Sequence, residues 1–150
     1  MSASPVVYLL DTNIVVHFVR ANRLWELIRK RYNLLAHSPT PFISVVTVGE
    51  VRSLALQYGW GEPKLQQMEF CLGYFKVLTI HDPTIIERYA AIDSHFVSRG
   101  HILGKNDLWV AATAAATGAC LLTTDRDFDP LTPEFLTREW IDPDAEASAN

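Results

Sequence analysis

Cysteine is scarce in these 150 residues: Cys71 and Cys120 are the only two, each in an apolar segment with no Cys or His nearby at metal-ligand spacing. That argues against disulfide stapling and against a thiolate metal site, and the pair reads as reduced core thiols. Long apolar runs are missing too. None approaches the roughly 20 residues of a membrane span, and the start, MSASPVVYLLD, lacks the basic region of a signal peptide. A cytoplasmic protein with no membrane association is expected. Positive charge is in short supply, with 13 Lys and Arg against 17 Asp and Glu for a formal net charge of −4. General attraction to a phosphate backbone is therefore absent, and nucleic-acid binding would have to rest on local patches or metals. Repeats, low-complexity tracts and dividing linkers are not found.

What the chain does have is apolar material. Hydrophobic residues make up 49% and aromatics 11%, against 20% charged. That balance excludes intrinsic disorder and suits one compact domain of common size. An ordered core is expected from about residue 6 to 141, with the small, polar segment Asp142 to Asn150 frayed.

Four short apolar runs stand out: Val6 to Leu10, Pro41 to Val45, Lys76 to Ile80 and Ala119 to Thr123. They lack polar alternation, as strands buried on both faces do. Between them lie helical spacings, such as Leu24, Leu27, Ile28, Arg31, Leu35 and Val51, Leu54, Ala55, Tyr58. Asp107 to Thr117 is rich in alanine, which suits a helix lying close against a sheet, and Gly118 can end it. Gly59 to Pro63 and Pro39 to Pro41 read as connections. Strands alternating with helices imply an α/β sandwich of three layers, with a central, mostly parallel sheet flanked by helices.

In such a sandwich, strand C-termini and helix N-termini meet along one edge, where ligands bind. Asp11 directly follows the first strand, Glu50 lies beyond the second, Asp125 follows the last, and Asp107 stands near the start of the alanine-rich helix. Each has a structural explanation. Asp11 can cap the helix that begins at Thr12. Glu50 completes Thr47-Val48-Gly49-Glu50, which fits a capping box. Asp107 can answer a helix dipole, and Asp125 can form an Asx-turn. Taken together they are harder to explain as caps, because carboxylates crowded on one edge repel unless a cation or bound protons neutralise them. An all-oxygen set without His or Cys points to magnesium or manganese, and such ions suit phosphodiester hydrolysis.

The segments Leu9-Leu10-Asp11-Thr12-Asn13, Ser44 to Glu50, Asn106 to Ala112 and Leu122-Thr123-Thr124-Asp125-Arg126-Asp127-Phe128 together resemble PIN-domain proteins, most closely toxins of the VapC type. The resemblance runs from Val7 to about Leu131. It implies a PIN-like fold, Mg2+ or Mn2+ in an acidic pocket, cleavage of RNA within the chain, a cognate VapB-type antitoxin and a homodimer. Carried onto this sequence, it makes Asp11 and Asp107 the principal metal ligands. Glu50 binds metal or positions water, Asp125 completes the quartet, and Asn13 and Thr124 support it. Asp127, two residues past Asp125, is an alternative fourth acid.

Trp25, Tyr58 and Trp60 are candidates for a dimer or antitoxin surface or for ordinary packing. Arg52, Lys105 and Arg126 lie near enough to the edge to meet RNA phosphates, whereas Arg29-Lys30-Arg31 reads as a solvated helix face. The histidines, His17, His81 and His101 among them, show no pairing and receive no role. Other carboxylate-metal enzymes fit less well. Haloacid-dehalogenase-type phosphotransferases need an acid where Asn13 stands, and Toprim domains place a glutamate where Asp11 stands. A non-catalytic interaction module on the same scaffold is disfavoured by the intact acids.

Overall fold

The computed structural model describes residues 5–36 and 38–145. In chain order these form β1 (Tyr8–Leu10), α1 (Thr12–Arg20), α2 (Arg23–Tyr32), β2 (Phe42–Ser44), α3 (Val45–Gln57), α4 (Glu62–Tyr74) and β3 (Lys76–Leu78). Then come α5 (Pro83–Ser98), α6 (Lys105–Thr117), β4 (Cys120–Thr123), a 3-10 helix (Arg126–Leu131) and β5 (Thr137–Trp140). The strands pair in parallel in the order β3-β2-β1-β4-β5.

The two-residue period of a strand explains the layers. Leu9 pairs in register with Leu121, and Leu10 with Leu122. Leu9 and Leu121 point to the face covered by α5 and α6, where they pack with Ile92, Leu108, Ala111 and Phe128. Leu10 and Leu122 point the other way, toward Ile14, Val15, Val51, Met68 and Cys71 on α1, α3 and α4. All four leucines are fully buried. Each such side chain contributes about 2 kcal/mol by leaving water. An apolar run without alternation is therefore what a doubly covered strand requires.

Helix boundaries follow local chemistry. The Asp11, Asn22, Ser44 and Asp82 side chains each accept a hydrogen bond from a backbone N–H in the first turn of the helix that follows. The alanine-rich α6 stops where expected, at Gly118, whose φ of 73° is left-handed backbone that glycine adopts without steric cost. Among the described residues, no helix is long and apolar enough to cross a membrane.

Several expectations need correction. A fifth strand, β5, was not foreseen: Thr137-Arg138-Glu139-Trp140 is polar because it is an edge strand, and it gains its place by pairing with β4. The run at Lys76 is not buried on both faces. It forms the opposite edge, and Val77 there is exposed. The connection Gly59 to Pro63 ends at Gly61, since Pro63 sits in the first turn of α4, where a missing N–H costs nothing. Of the segment expected to fray, Asp142 to Ala145 forms a turn held by Ala145 N–H donating to the Asp142 carbonyl, with Ala145 packed on the core. Residues 146–150 lie outside the described residues, as do residues 1–4 of the stretch read for a signal peptide. Trp25 is core: it is 2% exposed and stacks on Phe18 with ring centroids 4.2 Å apart.

Candidate functional site

The strand order reverses at β1. From there the chain builds outward through β2 and β3 on one side and through β4 and β5 on the other. Helices leaving β1 and β4 must therefore diverge, and the crevice between them opens at the strand C-termini. Asp11 follows β1 directly, and its N–H donates to the Leu122 carbonyl at 3.0 Å, tying it to the end of β4.

An open cleft of about 700 Å³ occupies this place, and Asp11, Glu50, Asp107 and Asp125 all line it, with Asn13 and Asn106. Sequence positions 11, 50, 107 and 125 are thus brought together by four different elements. Among the described residues, the lining contains no Lys, Arg, His or Cys.

Asp11 is 4% exposed. One carboxylate oxygen accepts from Thr12 N–H at 2.8 Å and the other from Thr123 Oγ1 at 2.8 Å. Burial pushes its pKa up to about 6, against those two hydrogen bonds, with Glu50 and Asp125 adding to the rise. Asp107, in the first turn of α6, is half-buried and pushed up to about 7, first by burial and then by the charges of Asp11, Asp125, Glu50 and Asp127. These carboxylates feel one another, and among the described residues nothing of opposite sign lines the cleft to relieve them. Among the described residues, the acids held in ion pairs with Arg are elsewhere: Glu26, Glu69 and Asp129.

The capping-box reading of Glu50 does not survive. Ser44 caps α3, which begins at Val45, so Thr47 and Glu50 both lie inside the helix. Three residues apart on one helix face, they instead meet α1. Thr12 Oγ1 donates to Glu50 Oε1 at 2.8 Å and lies 3.0 Å from Thr47 Oγ1. Asp125, by contrast, does make the Asx-turn, accepting from Asp127 N–H at 2.8 Å, while still lining the cleft.

The hydroxyl hydrogen-bonded to Asp11 is that of Thr123. Along a strand the side chains alternate, so Thr123 is the one that faces Asp11. Its Oγ1 donates to Asp11 and accepts from Asp125 N–H at 2.9 Å. Thr124 contributes its carbonyl, which accepts from Trp140 Nε1 at 3.0 Å. Thr12, Thr47 and Thr123, all buried, are the site residues that sequence reasoning missed. Their signal was present only as adjacency to the acids in the chain or, for Thr47, as helix spacing to Glu50.

Asp125 and Asp127, the alternative fourth acids, both lie close to Asp107. Carboxylate oxygens of Asp107, Asp125 and Asp127 lie within 4.8 Å of one another. Asp127 is the exposed member and is not part of the cleft wall. The donor set is all oxygen, crowded and uncompensated, which suits a hard divalent cation and not zinc. Of the basic residues expected near the edge, Arg52 pairs with Glu69, and Arg126 lies over the Trp140 ring at 3.7 Å and reaches Asp129. Lys105 opens α6 and is exposed.

Comparison with known proteins agrees with this fold. The PIN domain family model matches residues 8–131. Among curated relatives, Ribonuclease VapC2 of Haemophilus influenzae is 26% identical over 135 residues, 89% of this chain and 98% of the relative. Ribonuclease VapC4 of Mycobacterium tuberculosis is 35% identical over 88 residues, 57% of this chain and 67% of that protein. The crystal structure of VapBC2 from Rickettsia felis, bound to a DNA fragment from its promoter, contains a chain of the same fold. It matches with a TM-score of 0.78 at 23% identity, covering 91% of this chain and 100% of that one.

Proposed function

The chain belongs to the PIN domain family, and from that membership we propose that it is a metal-dependent endoribonuclease, the toxin of a VapBC-type toxin–antitoxin pair. The observation that carries the reading is the cleft itself, in which Asp11, Glu50, Asp107 and Asp125 face one another without a cationic side chain. An interaction module has no need to confine negative charge in this way, whereas phosphodiester hydrolysis does.

Asp11 and Asp107 are the principal ligands of a divalent ion, with Glu50 and Asp125 completing the set and Asp127 within reach. Magnesium, or manganese in its place, would neutralise phosphoryl oxygens and ease deprotonation of the attacking water. The chain's own part is to hold the acids. Thr123 fixes one Asp11 oxygen and the Asp125 backbone at once, and Thr12 fixes Glu50. Asn13 and Asn106 offer neutral donors at the cleft wall.

The partners that go with this function are RNA as substrate, a VapB-type antitoxin as inhibitor and a second copy of the chain in a homodimer. The whole chain acts as one PIN domain, in the cytoplasm. To test the reading, purified antitoxin-free protein is incubated with cellular RNA, with magnesium or with EDTA, beside Asp107→Asn. Discrete fragments that need both the metal and Asp107 are expected. Intact RNA after incubation of folded protein with magnesium would overturn it.

A further inference from the structure

The acids are not the whole of the cleft lining. Besides Thr12, Asn13 and Asn106, the cleft is lined along one face of α3 by Val46, Gly49, Ser53, Leu54 and Gln57, at the spacing of successive helical turns and with Glu50 among them. Apart from Glu50, this face carries no charge. It pairs apolar side chains with a hydroxyl and a carboxamide, and the lining has no Lys or Arg to hold a phosphate.

Gly49 is the informative residue. It sits inside a helix, where glycine is less favourable than alanine, and among the described residues, its own helix's neighbouring backbone aside, nothing lies within 4 Å of the place its Cβ would take. The fold therefore does not require glycine there, yet its absent side chain is what keeps the cleft floor open. Beyond it, Gln57 Nε2 donates to Ser53 Oγ at 2.9 Å, which orients the carboxamide and leaves it a carbonyl acceptor and a second N–H. An adjacent donor and acceptor match the edge of a base, as Gln and Asn do when they read nucleic acids.

We propose that the α3 face is a nucleobase subsite, in which an unpaired base flanking the scissile phosphate lies over Gly49 against Val46 and Leu54 and is read by Gln57 and Ser53. The proposal rests on the nuclease reading above, and the geometry joins the two. A phosphate placed at the acids must send its neighbouring nucleoside along the same cleft. The edge that Gln57 would read is free only on an unpaired base.

The test uses a library of randomised single-stranded RNA, magnesium, and sequencing of the cut ends for the wild type, Gln57→Ala and Gly49→Leu. Wild type should show a preferred base at one position beside the cut. Gln57→Ala should flatten that preference about tenfold, the worth of one good base contact. On an oligonucleotide with an abasic site at that position the two should cut equally. Gly49→Leu should cut base-bearing RNA at least about tenfold more slowly, while keeping the wild-type gain in Tm on adding magnesium. A base profile unchanged in Gln57→Ala, or a wild-type rate in Gly49→Leu, overturns the subsite. Wild-type protein that leaves the library intact overturns the nuclease reading and this one with it.

Discussion

Replacing Asp11 with Asn should destroy activity and, in the absence of metal, make the protein more stable. Asp11 ionises near 3.8 when unfolded and at about 6 in the fold, chiefly because it is buried. The folded state therefore holds this proton more tightly than the unfolded state. Stability is lost as pH rises from about 4, and the loss is complete once pH passes the folded value. The difference between 3.8 and about 6 corresponds to about 3 kcal/mol. Asparagine carries no charge, so it escapes that penalty. Its carbonyl can still accept from Thr12 N–H, but its amide meets Thr123 Oγ1 where a carboxylate oxygen accepted before, a loss of about 1 kcal/mol. The net gain is about 2 kcal/mol, or about 4–8 °C in Tm for a domain of this size. Thermal melts in EDTA should show the gain at pH 8 and its disappearance near pH 4, while magnesium should raise the Tm of the wild type far more than that of the variant. A variant that melts below wild type at pH 8, by the same margin as at pH 4, would refute the assignment of buried, uncompensated charge to Asp11.

Thr123→Val should lower stability by about 2 kcal/mol and activity with it, since one hydroxyl serves both Asp11 and the Asp125 backbone; Thr123→Ser should restore both, and failure of the serine to do so would show that the methyl group is what matters. Asp125→Asn should weaken magnesium binding, read by the metal-induced shift in Tm, more than Asp127→Asn does, because only Asp125 lines the cleft. Equal effects would place both acids on the ion. Cys71 is fully buried and its thiol is pushed up to about 12 by burial, so mass spectrometry after treatment of native protein with a thiol reagent should find no adduct there until the chain unfolds.

The central strands were legible because burial on both faces writes itself into composition: β1 (Tyr-Leu-Leu), β2 (Phe-Ile-Ser) and β4 (Cys-Leu-Leu-Thr) are mostly apolar and lack polar alternation. Edge strands leave a weaker trace. β5 has one side of its ladder and half its residues open to water, so Thr137-Arg138-Glu139-Trp140 resembles a loop until β4 is there to pair with it. Likewise Trp25 could not be told from a surface aromatic, because only the tertiary fold brings Phe18 of the preceding helix against it.

For the acids, the structural and functional explanations were framed as competitors, and the structure shows why that framing misleads. Asp11 caps α1 and lines the cleft with the same carboxylate; Asp125 makes its Asx-turn and lines the cleft as well. A helix N-terminus at a strand's C-terminal end supplies backbone N–H groups that hold a carboxylate in a fixed orientation. Those hydrogen bonds oppose the rise in pKa at Asp11 and so help keep it ionised for a cation despite near-complete burial. Capping is thus how the fold makes a buried acid usable. Glu50 is the exception that supports the point. Inside α3 it has no free N–H to meet, and the Thr12 hydroxyl takes over that work from the first turn of the helix that Asp11 caps. Spacing in the sequence could place the acids on one edge. It could not say which hydroxyls would hold them, because Thr12 meets Glu50 across 38 residues and Thr123 meets Asp11 across 112.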